Sequence, residues 1–171
     1  EPGAADNASG VAITLEIAQL LEQKIARGQL ARPRRTIRLL NAYECYGFFG
    51  YLERTQRLQT PLGGVCIDTL GLKPEHCDGR LEWHATIPMS ASFVDRLGAS
   101  VLRSALRQHR PGYTLHREPF VSTSDTLIGD PQYGFPCPWI TTHHKSTGSG
   151  FDAYHSSADR RSLLSGKGLE T

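Results

Sequence analysis

Four places in this chain of 171 residues carry side chains suited to a metal ion. Asp6 lies in Pro2-Gly3-Ala4-Ala5-Asp6-Asn7-Ala8-Ser9-Gly10, a run of small residues. Glu44-Cys45 and Asp68 each follow an apolar, strand-like run, and His155 sits in Tyr154-His155-Ser156-Ser157-Ala158-Asp159. Carboxylate oxygen, imidazole nitrogen and thiolate sulfur are all zinc ligands. Hydrolysis by a metal-activated water also needs a nearby base, and Glu44 is the available candidate. Each residue has a plainer reading beside this one. Asp6 fits a helix cap, Glu44 and Asp68 fit solvated strand ends or helix-dipole partners, and a single histidine is often structural. The shared placement of Glu44 and Asp68 at strand ends favours chemistry, because open α/β sheets bind ligands there.

The elements that must position these residues follow from periodicity. Val11, Leu15, Ala18, Leu21 and Ile25 recur at helical spacing over residues 8–27, capped by Asn7 or Ser9 and stopped at Gly28, with one face expected to pack on a sheet. Residues 36–43 read as a strand ending at Glu44, followed by a helix carrying Phe48, Tyr51 and Leu52. Residues 65–68 form a short strand that ends in Asp68. Further strands are expected over 81–87, 113–120 and 137–142. An amphipathic helix over 92–109 should bury Phe93, Leu97, Val101, Leu102, Ala105 and Leu106. Residues 143–152, rich in Gly, Ser and Thr, read as a flexible loop over the site. A helix is expected to begin over residues 158–164. This order makes the chain α/β, with helices on both faces of a mixed sheet.

Composition narrows the class. An apolar fraction of 39% and a charged fraction of 21% are those of a globular domain able to bury a core. A net charge of +2, with arginines scattered, argues against nucleic acid and membrane surfaces as partners. Apolar runs long enough for a membrane helix are absent from the sequence. Cys45, Cys66, Cys77 and Cys137 show no paired spacing, which reads as reduced thiols and a cytoplasmic setting. The start at Glu1-Pro2-Gly3, already inside a motif, suggests a piece of a longer protein.

The motifs resemble a known family. Pro2-Gly3-Ala4-Ala5-Asp6-Asn7-Ala8-Ser9-Gly10-Val11-Ala12 is similar to the signature of the co-catalytic dizinc aminopeptidases, relatives of leucyl aminopeptidases, glutamate carboxypeptidases and glutaminyl cyclases. Glu44-Cys45-Tyr46-Gly47-Phe48-Phe49-Gly50 resembles that family's Glu-Glu-x-Gly-Leu-x-Gly, and Ile67-Asp68-Thr69-Leu70-Gly71 its Leu-Asp-Met-x-Gly. Tyr133-Gly134-Phe135-Pro136 and Tyr154-His155-Ser156-Ser157-Ala158-Asp159 resemble its Gly-Ile-Pro and Tyr-His-Thr-x-x-Asp. The elements keep family order over nearly the whole chain. The ending also resembles a divergent aminopeptidase-like branch found beside polysaccharide-biosynthesis genes, which lacks the Glu-Glu pair.

The resemblance implies a fold, a cofactor and roles. The fold would be a three-layer α/β/α domain of the phosphorylase/hydrolase-like zinc-peptidase type, with a mixed, mostly parallel sheet lacking its first strands. Residues 1–171 would be the C-terminal portion of one catalytic domain. One or two zinc ions would be held by Asp6, bridging, with Asp68, His155 and Cys45, the last replacing a ligand Glu; another ligand histidine would lie upstream. Glu44 would be the general base, cleaving an N-terminal peptide or amide bond of a peptide or aminoacyl substrate. The bond between Asp6 and Asn7 is often cis in this family. Asp125, in a Ser-Asp-His-like element where Thr126 replaces the histidine, would touch substrate or support the ligands, as would Asp159 (through His155, or as a cap), Tyr154 and His143. Two rival functions are a metal-binding pseudoenzyme and a glutaminyl-cyclase-like acyltransferase. A carboxypeptidase-like variant would use Arg117 or Arg160. Oligomerisation is left open.

Overall fold

The computed structural model describes residues 2–56, 60–142 and 151–169. A π-helical turn over Ala4–Ser9, broken by non-helical Asp6 and Asn7, feeds α1 (Gly10–Ala26). The Asp6–Asn7 peptide is cis, as the resemblance implies. The Asn7 side chain caps α1, its Oδ1 accepting the Gly10 amide at 3.0 Å. Gly28, at φ 67°, closes the helix: its amide donates to Ile25 O while that of Gln29 donates to Lys24 O, a Schellman ending. Then come α2 (Tyr46–Arg54), β1 (Cys66–Ile67), β2 (Arg80–His84), α3 (Phe93–His109), β3 (Thr114–Glu118), β4 (Trp139–Thr141) and a last helical turn, α4 (Gly166–Leu169).

The sheet order is β1-β4-β2-β3. The pairs β1/β4 and β2/β3 are parallel and β2/β4 is antiparallel, so the sheet is mixed and mostly parallel. On one face of β2, Arg80 pairs with Glu82 and Glu118, and Glu82 with His84 Nε2 at 2.8 Å. On the other face Trp83 packs against Gly98 of α3. A second core of Ala5, Leu72, Cys77, Phe151 and Ala153 joins the first residues of the chain to its last segment. The bridge between Leu72 and Leu164 and the contacts of Leu163 and Leu164 extend it. Over residues 158–164, where a helix was expected to begin, there is a 3-10 turn at Arg161–Leu163, and α4 begins at Gly166.

Three expectations are corrected. Residues 36–43 form no strand and pair with none of the described strands; Ile37 is 54% exposed. Glu44 and Cys45 therefore sit in the turn before α2, not at a strand end. In α1 only Gly10 is buried, and Val11 and Leu15 are exposed. In α3, Phe93, Leu97 and Val101 are 61%, 59% and 59% exposed, while Asp95, Ala99 and Leu106 are buried. Polar chemistry rotates α3 this way. The Asp95 carboxylate accepts Trp83 Nε1–H at 3.3 Å, the Thr86 amide at 3.0 Å and the Thr86 hydroxyl. Gly98 leaves room for the Trp83 ring. A buried carboxylate must keep its donors, so Asp95 faces inward and the 93/97/101 stripe turns out.

Candidate active site

Asp6 is positioned by a clamp between the two ends of the chain. The Asp159 carboxylate, 1% exposed, accepts the amides of Ala5 (2.8 Å) and Asp6 (3.0 Å) through its two oxygens. Ser9 ties the same loop to the residues after β1: its hydroxyl donates to Ala5 O (2.7 Å) and accepts the Leu70 amide (3.0 Å). Asn7 does likewise, donating from Nδ2 to Ile67 O (3.1 Å) and accepting the Thr69 amide (3.2 Å). A Cβ on Gly10 would lie 2.7 Å from Ile67 O, so only glycine permits this approach. Asp159 thus orients Asp6, where the sequence suggested His155 or a cap.

His155, at φ 51°, brings Nε2 to 3.1 Å from Asp6 Oδ2 and stacks on Tyr154 at 3.8 Å between centroids. Burial pushes the Asp6 carboxyl up; His155 opposes this, and the charges of Glu44, Asp159 and Asp125 add to it. The Tyr154 hydroxyl is pushed up to about 12 by burial and then by Asp6, Asp68, Glu44 and Asp125. Tyr154 lines the same cleft as these four carboxylates. Asp68 is held at the end of β1 by its amide on Ile140 O (3.0 Å), with Oδ1 accepting the Thr69 hydroxyl (3.0 Å).

Glu44, Cys45 and Asp125 bring one ligand atom each within 4.8 Å of one another; among the described residues this is the group of three or more ligand types so gathered. Asp6 and His155 form a separate pair, so the donors expected at one centre lie in parts around one cleft of about 1590 Å³. Asp6, Glu44, Asp68, Asp125, Tyr154 and His155 all line it. Arg117, exposed on β3 at the far sheet edge, and Arg160, whose Nε donates to Ser157 O (3.0 Å), are not among its lining residues; Arg34, Arg35 and Arg38 are. His143 lies outside the described residues. The clamp roles of Asn7, Ser9 and Asp159 escaped sequence reasoning; their signal was only that they share the two motifs.

Residues 1–171 match peptidase family M28. The chain belongs to that family. Among curated proteins there is no match. Among solved structures the chain is similar to a zinc aminopeptidase from Bacillus subtilis, with a TM-score of 0.67 and 19% identity. The likeness covers 99% of this chain and 39% of that protein, so the chain spans well under half of its length. As a member of family M28 with the three-layer α/β fold of a zinc aminopeptidase, the chain has zinc as its implied cofactor. The residues fit such an ion. Two donors bound about 2.0–2.1 Å from a tetrahedral zinc stand ~3.3 Å apart, close to the 3.1 Å between His155 Nε2 and Asp6 Oδ2. Four carboxylates, those of Asp6, Glu44, Asp68 and Asp125, line the cleft and offer oxygen donors to a dication. All four cysteines are free, so the Cys45 thiol is available as a donor. Among the described residues no helix is long and apolar enough to cross a membrane.

Proposed function

We propose that this chain is part of the catalytic domain of a zinc-dependent exopeptidase of the aminopeptidase type. It would cleave an N-terminal peptide or amide bond, with Asp6, Asp68, His155 and Cys45 as metal donors and Glu44 as general base. The remaining domain, with a further ligand histidine, would lie upstream of Glu1. The observation that carries the reading is that Asp6, Glu44, Asp68, Asp125 and Tyr154 line one cleft, with His155 Nε2 3.1 Å from Asp6 Oδ2.

Bound zinc would supply an acidified water and polarise the scissile carbonyl. The chain's own groups do the rest. The Glu44 carboxylate accepts the proton of the attacking water and delivers it to the nitrogen of the leaving amine. Tyr154, which lines the same cleft, would donate its hydroxyl to the carbonyl oxygen as charge grows there. Asp159 and Asn7 hold the Asp6 loop in place.

The test is Glu44→Gln in the full-length protein, assayed on a panel of aminoacyl anilides with zinc content measured alongside. The expected result is unchanged zinc and a loss of kcat of roughly 100-fold or more. Unchanged turnover of a good substrate would overturn the role of Glu44. Cys45 in the place of a ligand Glu favours a second reading, a metal-binding pseudoenzyme, and zinc retention without turnover of any substrate in the panel would select it. Ammonia released from an N-terminal Gln peptide would select the cyclase-like acyltransferase.

A further inference from the structure

Cys45, next to Glu44 of the cleft, has a left-handed φ. Its φ of 58° and ψ of −77° place it at the centre of a γ-turn, closed by the Tyr46 amide donating to Glu44 O at 2.7 Å. A residue with a side chain holds this conformation only where its surroundings over-determine it. From the C-terminal side, α2 supplies part of that restraint: the Gly47 amide donates to Tyr43 O and the Phe49 amide to Cys45 O, each at 3.0 Å. From outside the segment, the Cys45 amide donates to Asp125 Oδ1 at 3.4 Å, across 80 residues of sequence.

Asp125 is itself anchored. The adjacent Thr126, 1% exposed, donates its hydroxyl to Val121 O (2.6 Å) and accepts the Thr123 amide (2.7 Å), while the Thr126 amide donates to Thr123 Oγ1 (3.3 Å). This knot leads into a 3-10 turn at Leu127–Gly129, where Ile128 and Gly129 are buried. Thr126 thus replaces the expected histidine with an internal brace.

We propose that Asp125 is a positioning residue, whose carboxylate oxygen holds the Cys45 amide so that the γ-turn keeps the Cys45 thiol beside the Glu44 carboxylate, which lines the cleft. The consequence is visible in the gathering of donor atoms from Glu44, Cys45 and Asp125 within 4.8 Å. The proposal rests on the reading of Cys45 as a metal donor and Glu44 as the base.

The experiment uses the full-length protein with Co(II) in place of zinc, as wild type, Cys45→Ser, Asp125→Ala and Asp125→Asn. The readouts are metal per chain, the thiolate-to-cobalt absorption band, and kcat and KM. Asn keeps an acceptor oxygen for the Cys45 amide; Ala does not. In wild type the band is present, and Cys45→Ser removes it. Asp125→Ala is expected to weaken the band and lower kcat by roughly 10–100-fold with a smaller change in KM, and Asp125→Asn to rescue most of both. An Asp125→Ala protein with the wild-type band and kcat overturns the positioning role. An Asp125→Asn protein as impaired as Asp125→Ala also overturns it, because the charge rather than the acceptor then matters. A wild type that binds cobalt without the band overturns the reading of Cys45 as a donor, a failure distinct from the other two.

Discussion

Replacing Asp159 by alanine should be among the most damaging single substitutions in the chain. Its carboxylate accepts the Ala5 amide at 2.8 Å and the Asp6 amide at 3.0 Å, beside a core of Ala5, Leu72, Cys77, Phe151 and Ala153. Hydrogen bonds to a charged group contribute about 1.5–3 kcal/mol each, and a buried donor left without its acceptor costs about as much. Losing both bonds therefore predicts roughly 3–6 kcal/mol, a large share of the ~5–15 kcal/mol by which domains are stable. Asp159→Asn keeps one acceptor oxygen and turns an NH₂ toward the other amide, so about half that loss is expected. The assay is guanidinium unfolding of the full-length protein at low and at 1 M salt, with zinc affinity measured on each variant. Because the partners are neutral amides, the penalty should barely change with salt, whereas an ion pair with His155 would be screened. Zinc affinity should fall with stability, because the clamped loop carries Asp6. A loss below about 1 kcal/mol in Asp159→Ala would refute the clamp. A loss that vanishes in 1 M salt would refute the neutral-amide account.

Gly98→Ala tests how α3 is seated. Alanine should favour a helix by about 1 kcal/mol, but its Cβ would lie 2.3 Å from the Trp83 ring, which is held by its bond to Asp95. Overpacking of about 1–3 kcal/mol or more should win, giving a lower unfolding midpoint and altered Trp83 fluorescence; a higher midpoint would refute the packing. Burial pushes the Cys77 thiol up to about 11, the Cys137 thiol up to about 12 and the Tyr113 hydroxyl up to about 12. Each group then keeps its proton longer in the folded state, so its contribution is intact below pH 9 and lost as pH rises through about 11–12. Stability should therefore decline above pH 9, and Cys77 and Cys137 should resist alkylation at pH 8 until denaturant is added. A flat profile from pH 8 to 11 would refute this.

Much of the site was legible because its residue types are local facts. Asp6 among small residues, Glu44, Asp68 and Tyr154-His155 all line one cleft, with Cys45 beside Glu44, although they are far apart in sequence. The helices over 10–26, 46–54 and 93–109 were legible too, since periodicity, the Asn7 cap and the Gly28 stop are written within single segments. The strand over 36–43 was misread because strand pairing needs a neighbour that no local pattern supplies. The buried face of α3 was misread because hydrophobicity ranked Phe93 and Leu97 above Asp95, while the buried donors of Trp83 and Thr86 outweighed that ranking.

The sequence by itself determined which chemistry this chain can perform: which side chains can ligate a metal, which can move a proton, and which segments twist into helices. Tertiary structure alone decided which of them meet. It paired Asp159 with the amides of Ala5 and Asp6 across more than 150 residues, set Asp125 against Cys45 and turned α3 about Asp95. The physical reason is that a buried polar atom must find a partner wherever the folded chain offers one, and that partner carries no mark in the sequence around it.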